Sequence, residues 1–92
     1  MLNFNIFETE TFTRDFHKTL GHKAFLVHEI LFSKVYPQLK AHPYHGTNIK
    51  KLKGYKEETW RYRVGNYRLF YRINLEQKTV SIVTVEHRKD AY

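Results

Sequence analysis

Ninety-two residues are enough for one thin hydrophobic core and no more, so a single domain spanning residues 1–92 is expected. Seven Phe, seven Tyr and one Trp supply the ring area that a small core needs, while the absence of cysteine excludes a disulfide scaffold and a cysteine-based zinc site. Sixteen Lys+Arg against nine Asp+Glu leave a formal charge of +7, which favours a polyanionic partner: nucleic acid, an acidic protein segment or an anionic membrane.

The membrane is the weakest of the three. No apolar run approaches transmembrane length, and the opening MLNFNIFETE lacks a positively charged leader followed by an apolar stretch, so a cytoplasmic protein is expected. Residues 2–7 alternate, with Leu2, Phe4 and Ile6 on one side, and are expected to form a short first strand. Thr9 or Thr11 then caps a helix that carries Glu10 near its positive end and Phe12, Phe16 and Leu20 along one face. Gly21 ends it. A second helix is expected over residues 23–36, with Phe25, Val27, Ile30, Leu31 and Val35 as its apolar positions and Pro37 and Pro43 bracketing its exit. The very short turn between the two makes them an antiparallel hairpin. Residues 42–56, rich in Lys, Gly and His, are expected to be irregular.

Three strands follow, over residues 59–64, 67–73 and 79–86. Gly65-Asn66 joins the first two, in a pattern that suits a two-residue type II′ hairpin turn; residues 74–78 form a looser one. The order β-α-α-β-β-β gives an α+β fold: an N-terminal strand, a helical hairpin, then a three-stranded antiparallel sheet with the helices on one face.

The two-residue turn dictates the register. Val64 stands opposite Tyr67, Arg63 opposite Arg68, Tyr62 opposite Leu69 and Arg61 opposite Phe70. Trp60, Tyr62, Val64, Tyr67, Leu69, Tyr71 and Ile73 then share the side that covers the helices; Arg61, Arg63, Arg68, Phe70 and Arg72 share the other. Like charges placed directly opposite each other destabilise a sheet. The arrangement makes sense where a phosphate sits between the guanidinium groups, which bind it in a bidentate way. The plain alternative is a solvated face whose arginines pair with Glu57, Glu58 or Glu86. Lys50, Lys51, Lys53 and Lys56 are either further phosphate contacts or an ordinary soluble loop. His42-x-x-His45 has no carboxylate or cysteine pattern to complete a metal site.

The run WRYRVGNYRLFYRI, with VTVEHRKDAY at the terminus and NIKKLKG upstream, resembles the RelE-like toxins of bacterial and archaeal toxin–antitoxin systems. The resemblance covers nearly the whole chain, and its specific part runs over residues 48–92. It implies the RelE-like α+β fold and a type II toxin that cleaves mRNA in the ribosomal decoding site without a metal or other cofactor. The implied partners are a cognate antitoxin, the ribosome and mRNA, with no membrane. By position, Arg61 and Arg63 fall where that family places two basic strand residues, Arg68 on its hairpin arginine, Arg88 on its C-terminal arginine and Tyr92 on its final tyrosine. Arg at the first two positions departs from the lysines of some members. Because Arg stays charged, transition-state stabilisation fits it better than proton transfer. Cleavage by a neighbouring 2′-hydroxyl also needs a proton carrier, and His87 is the best suited by side-chain type. Tyr92 is expected to place or stack the target base, or to share in proton transfer. Phe70, Arg72 and Lys89 join the lysines as expected RNA contacts. Two rivals remain: a sibling branch of the superfamily that binds DNA gyrase and cuts nothing, and a non-catalytic RNA-binding module.

Overall fold

The structure, a computed structural model, describes residues 3–87. The alternation around Phe4 and Ile6 yields β1 (Asn5–Glu8), and the C-terminal half yields β3 (Trp60–Val64), β4 (Tyr67–Asn74) and β5 (Thr79–His87). A further strand, β2 (Ile49–Lys51), lies within the segment expected to be irregular; Ile49 is drawn into pairing with Tyr62, with Lys50 opposite Arg61 and Lys51 opposite Trp60. The sheet therefore has five strands, β1 and four after the hairpin rather than the expected three, in the order β1-β5-β4-β3-β2. It is antiparallel except at β1, which pairs in parallel with β5 from Asn5↔Thr79 to Glu8↔Ile82.

Thr9 follows β1 directly and caps α1 (Glu10–Leu20), settling the choice between Thr9 and Thr11. Its hydroxyl accepts from the Phe12 N–H at 3.1 Å and donates to the Ile82 carbonyl at 2.8 Å, so one side chain ties the helix start to β5. Thr84 on β5 adds a second tie by donating to the Asp15 carboxylate at 2.8 Å. Gly21 closes the helix at φ +56, a left-handed conformation that a side chain would strain.

The second helical arm departs from expectation in length and in face. After a 3₁₀ turn at Gly21–Lys23 it runs through α2 (Ala24–Ile30), a π turn at Leu31–Val35 and α3 (Tyr36–Ala41), so helical backbone passes Pro37 and stops at His42. Proline lacks an N–H and crowds the carbonyl four residues back, here that of Ser33; the wider π turn sits where that conflict falls. Burial supports the continuation, since Tyr36 and Leu39 are 3% and 0% exposed. Phe25 and Ile30, expected on the apolar face, are instead exposed at 72% and 41%. The row that meets the sheet is Ala24, Leu31 and Val35, with Val27 packed against it. Apolar residues occur around the whole circumference of this helix, so periodicity alone does not choose the buried side.

The core lies between the helical arms and one face of the sheet, built from Phe4, Phe12, Phe16, Leu20, Leu31, Leu39, Tyr62, Leu69, Tyr71, Val80, Ile82 and Val85. Buried phenols bolt the arm to the sheet. Tyr71 donates to the Pro43 carbonyl at 2.7 Å, Tyr62 to Gln38 Oε1 at 2.6 Å, and Tyr36 to Glu8 Oε2 at 2.6 Å. Glu8 Oε2 is also 2.9 Å from His28 Nε2, so one carboxylate serves two elements. Burial raises the Tyr36 phenol far above the ordinary tyrosine range, and the Glu8 hydrogen bond and charge raise it further. Tyr71 is raised chiefly by burial, then by Tyr62, with Arg61 partly offsetting. Both remain protonated donors at any working pH.

Candidate functional site

Gly65 takes φ +58 at the tip of the β3–β4 hairpin, a value glycine tolerates and the first central position of a type II′ turn requires. The strands leave it in the register the turn dictates: Val64↔Tyr67, Arg63↔Arg68, Tyr62↔Leu69, Arg61↔Phe70 and Trp60↔Tyr71. The apolar row meets the core as expected, with Tyr62, Leu69 and Tyr71 buried and Trp60, Val64, Tyr67 and Ile73 packed against them.

The opposite face carries the cations in rows across the strands. One row reads Arg63, Arg68, Glu86; the next reads Lys50, Arg61, Phe70, Thr84. Arg63 is exposed, and Arg68 and Arg61 are half-buried. The Arg61 guanidinium donates to the Asn48 carbonyl at 2.9 Å, which bends it toward the β2 edge. Lys50 was legible in the sequence only as one lysine of a loop; β2 is what sets it beside Arg61.

Other expected site residues are placed differently. Arg72 belongs to the same face, but its Nε donates to Thr59 Oγ1 at 3.4 Å and its guanidinium stands 3.8 Å from Glu57 Oε2. Phe70 is only 7% exposed, and Tyr55 stands in T-shaped contact with it, ring centroids 6.5 Å apart. A ring so covered has no open face to offer a base. Lys51 turns to Glu58 at 3.2 Å and to the Trp60 ring at 6.0 Å, while Lys53 and Lys56 are exposed in the loop before β3.

His87 is the last residue of β5 and pairs with Tyr67, the two rings meeting edge-on at 5.1 Å. The pleat puts it on the side of Val64 and Tyr67, one register step from the row of Arg63 and Arg68. A bulge between Phe70 and Tyr71, where β5 carries one extra residue, brings this about: without it His87 would fall on the arginine side. No spacing in the sequence announces that bulge. Arg88, Lys89 and Tyr92 lie outside the described residues. Among the described residues no group of three or more His, Cys, Asp or Glu is placed to hold a metal ion, and no helix is long and apolar enough to cross a membrane.

A helical hairpin against one face of this sheet, with arginines opposed across a hairpin on the other, defines the RelE-like toxin fold. Residues 10–92 match the family model described as the ParE toxin of type II toxin–antitoxin systems. The chain therefore belongs to that toxin family, within the RelE/ParE superfamily. No curated protein sequence matches it significantly. Among solved structures, it is similar to a chain of the RelBE2 toxin–antitoxin complex of Mycobacterium tuberculosis, at 34% identity and a TM-score of 0.70, over 94% of this chain and 99% of that one. It is also similar to a chain of the RelB–RelE antitoxin–toxin complex of Methanococcus jannaschii, at 29% identity and a TM-score of 0.62, over 94% of each chain. The YoeB/ParE toxin of Agrobacterium tumefaciens shares the fold, with a TM-score of 0.69 at 18% identity over 90% of this chain and 96% of that one.

Proposed function

We propose that this toxin is a ribosome-dependent mRNA endoribonuclease that acts in the cytoplasm as a single domain. The observation that carries the reading is the opposition of Arg63 and Arg68 across a turn that leaves them no other register, with Lys50 and Arg61 in the next row. Glu86 stands on the far side of Arg68 in the same row, and two guanidinium groups side by side form a site that binds a phosphate in a bidentate way. A surface serving solubility alone has no use for that arrangement.

Cleavage proceeds by attack of the 2′-oxygen on its adjacent phosphate: the P–O2′ bond forms as the P–O5′ bond breaks, the 2′-hydroxyl gives up its proton and the departing 5′-oxygen takes one, leaving a 2′,3′-cyclic phosphate and a 5′-hydroxyl. Arg61, Arg63, Arg68 and Arg88 stabilise the charge of the phosphorane, the task a metal performs in other nucleases. His87, whose ring meets that of Tyr67 edge-on, takes the 2′-hydroxyl proton and returns one to the departing 5′-oxygen, and Tyr92 places the target nucleotide. Lys53, Lys56 and Lys89 hold flanking phosphates without reading sequence. A cognate antitoxin with acidic and apolar residues silences the protein, as the solved complexes of similar toxins with RelB-type partners support.

A second reading is a gyrase-binding toxin that cuts nothing. It is favoured by the ParE family model and by the placement of His87 on the side of Tyr67 rather than among the arginines. One experiment separates them. Induction of the protein alone, followed by mapping of message ends within minutes, is expected to show new ends at ribosome-covered positions. Arg68→Ala should abolish both the ends and the growth arrest while leaving a cooperatively folded protein, because its side chain leaves no core cavity. Growth arrest with intact messages and inhibited gyrase would establish the second reading.

A further inference from the structure

The loop between β2 and β3 holds an aromatic side chain that the reaction above does not use. Tyr55 is 48% exposed. It does not wave freely. Its ring stands edge-on to Phe70, in the row that contains Lys50 and Arg61. Gly54 immediately before it has φ +86, a left-handed turn that delivers Tyr55 back over the sheet. The base of the loop is closed by the Leu52 N–H donating to the Thr59 carbonyl at 2.9 Å. Two ion pairs flank it, Lys51–Glu58 at 3.2 Å and Arg72–Glu57 at 3.8 Å. Exposed Lys53 and Lys56 lie on either side of Tyr55 in the chain.

We propose that Tyr55 is a base-stacking residue: it takes an unpaired RNA base beside the arginine rows, and Phe70 is the buried support that sets its ring. The inference rests on the nuclease reading. A half-exposed ring in T-shaped contact with a buried one, with exposed lysines on either side of it in the chain, is the combination that binds single-stranded nucleic acid, the ring taking a base and the cations the phosphates. It also explains why an apolar Phe70 stands in a row of cations, and why two acidic residues in an otherwise basic loop are spent on anchoring it. Stacking accepts every base, so Tyr55 contributes affinity and orientation rather than sequence preference.

The test uses purified ribosomes programmed with a message that carries a fluorescent base analogue at the decoding site, its emission quenched by stacking on an aromatic ring. A 2′-O-methyl group on the neighbouring nucleotide blocks cleavage. The wild-type protein should quench the analogue on binding. Tyr55→Leu should lose the quench and bind roughly 5- to 150-fold more weakly, the range of a base-stacking contact, and Tyr55→Phe should restore both. Arg68→Ala should weaken binding yet retain the quench at saturation. If Tyr55→Leu binds and quenches like Tyr55→Phe, the stacking role is overturned while the nuclease reading stands. If the wild-type protein does not bind the programmed ribosome at all, that reading falls and the stacking role falls with it.

Discussion

Arg63 and Arg68 face each other because Gly65 and Asn66 allow one turn and that turn allows one register. His87 shows how far such local reasoning reaches. It adjoins Arg88 in the chain, yet in the sheet its neighbour is Tyr67. If it nevertheless carries the proton, His87→Gln should slow the chemical step on programmed ribosomes by on the order of a hundredfold. Tyr92→Phe should then cost much less than Tyr92→Ala, since the ring is kept. The measurement is a single-turnover rate. A normal rate for His87→Gln with an inactive Tyr92→Phe would assign the proton to the phenol and leave His87 as packing for Tyr67.

At the scale of elements, the helical arms are held by a few polar bolts in an otherwise apolar joint. Tyr71 crosses from β4 to the Pro43 carbonyl just beyond α3, and burial keeps its phenol protonated well above the ordinary range. The unfolded chain begins to release tyrosine protons near pH 10, while the folded chain keeps them. The stability from Tyr71 and Tyr36 is therefore complete below about pH 10 and declines as pH rises beyond it. Tyr71→Phe is expected to cost about 1–3 kcal/mol at neutral pH, because the buried Pro43 carbonyl loses its partner. It should also reduce the alkaline decline, a difference read from denaturant midpoints at neutral and alkaline pH. An unchanged decline would move the effect to Tyr36, whose phenol is held by Glu8.

For the molecule as a whole, the charge of +7 and the face that concentrates it define what the partner must bring. A cognate antitoxin is expected to carry acidic residues among apolar anchors. Co-expressed with a tag on either chain, the two should co-purify and the growth arrest should vanish. Their association should slow by an order of magnitude or more as salt is raised, because steering between exposed charges is screened within about 10 Å at 0.1 M. Association that is insensitive to salt would show that the arginine rows are not what the partner covers, leaving apolar contact as the basis of the complex.

The sequence by itself determined the three C-terminal strands, the hairpin register, a cap at Thr9 or Thr11 and the Gly21 stop. Each depends on residues close in the chain whose backbone preferences leave little choice. It also determined which side of β3 and β4 is apolar, since the pleat has a strict period of two. Tertiary structure decided the rest. β2 exists because Ile49 finds Tyr62 thirteen residues away, and helical backbone persists past Pro37 because Leu39 and Tyr36 are buried deeply enough to offset the break. Phe25 and Ile30 face solvent because the sheet has room for one face of an arm that is apolar on several. The functional face shows the same division. The arginine rows were legible because a turn carries them, whereas the contact of Tyr55 with Phe70 and the turning of His87 toward Tyr67 depend on a loop closure and a bulge. Both are settled by packing between segments far apart in the chain, and no local preference encodes them.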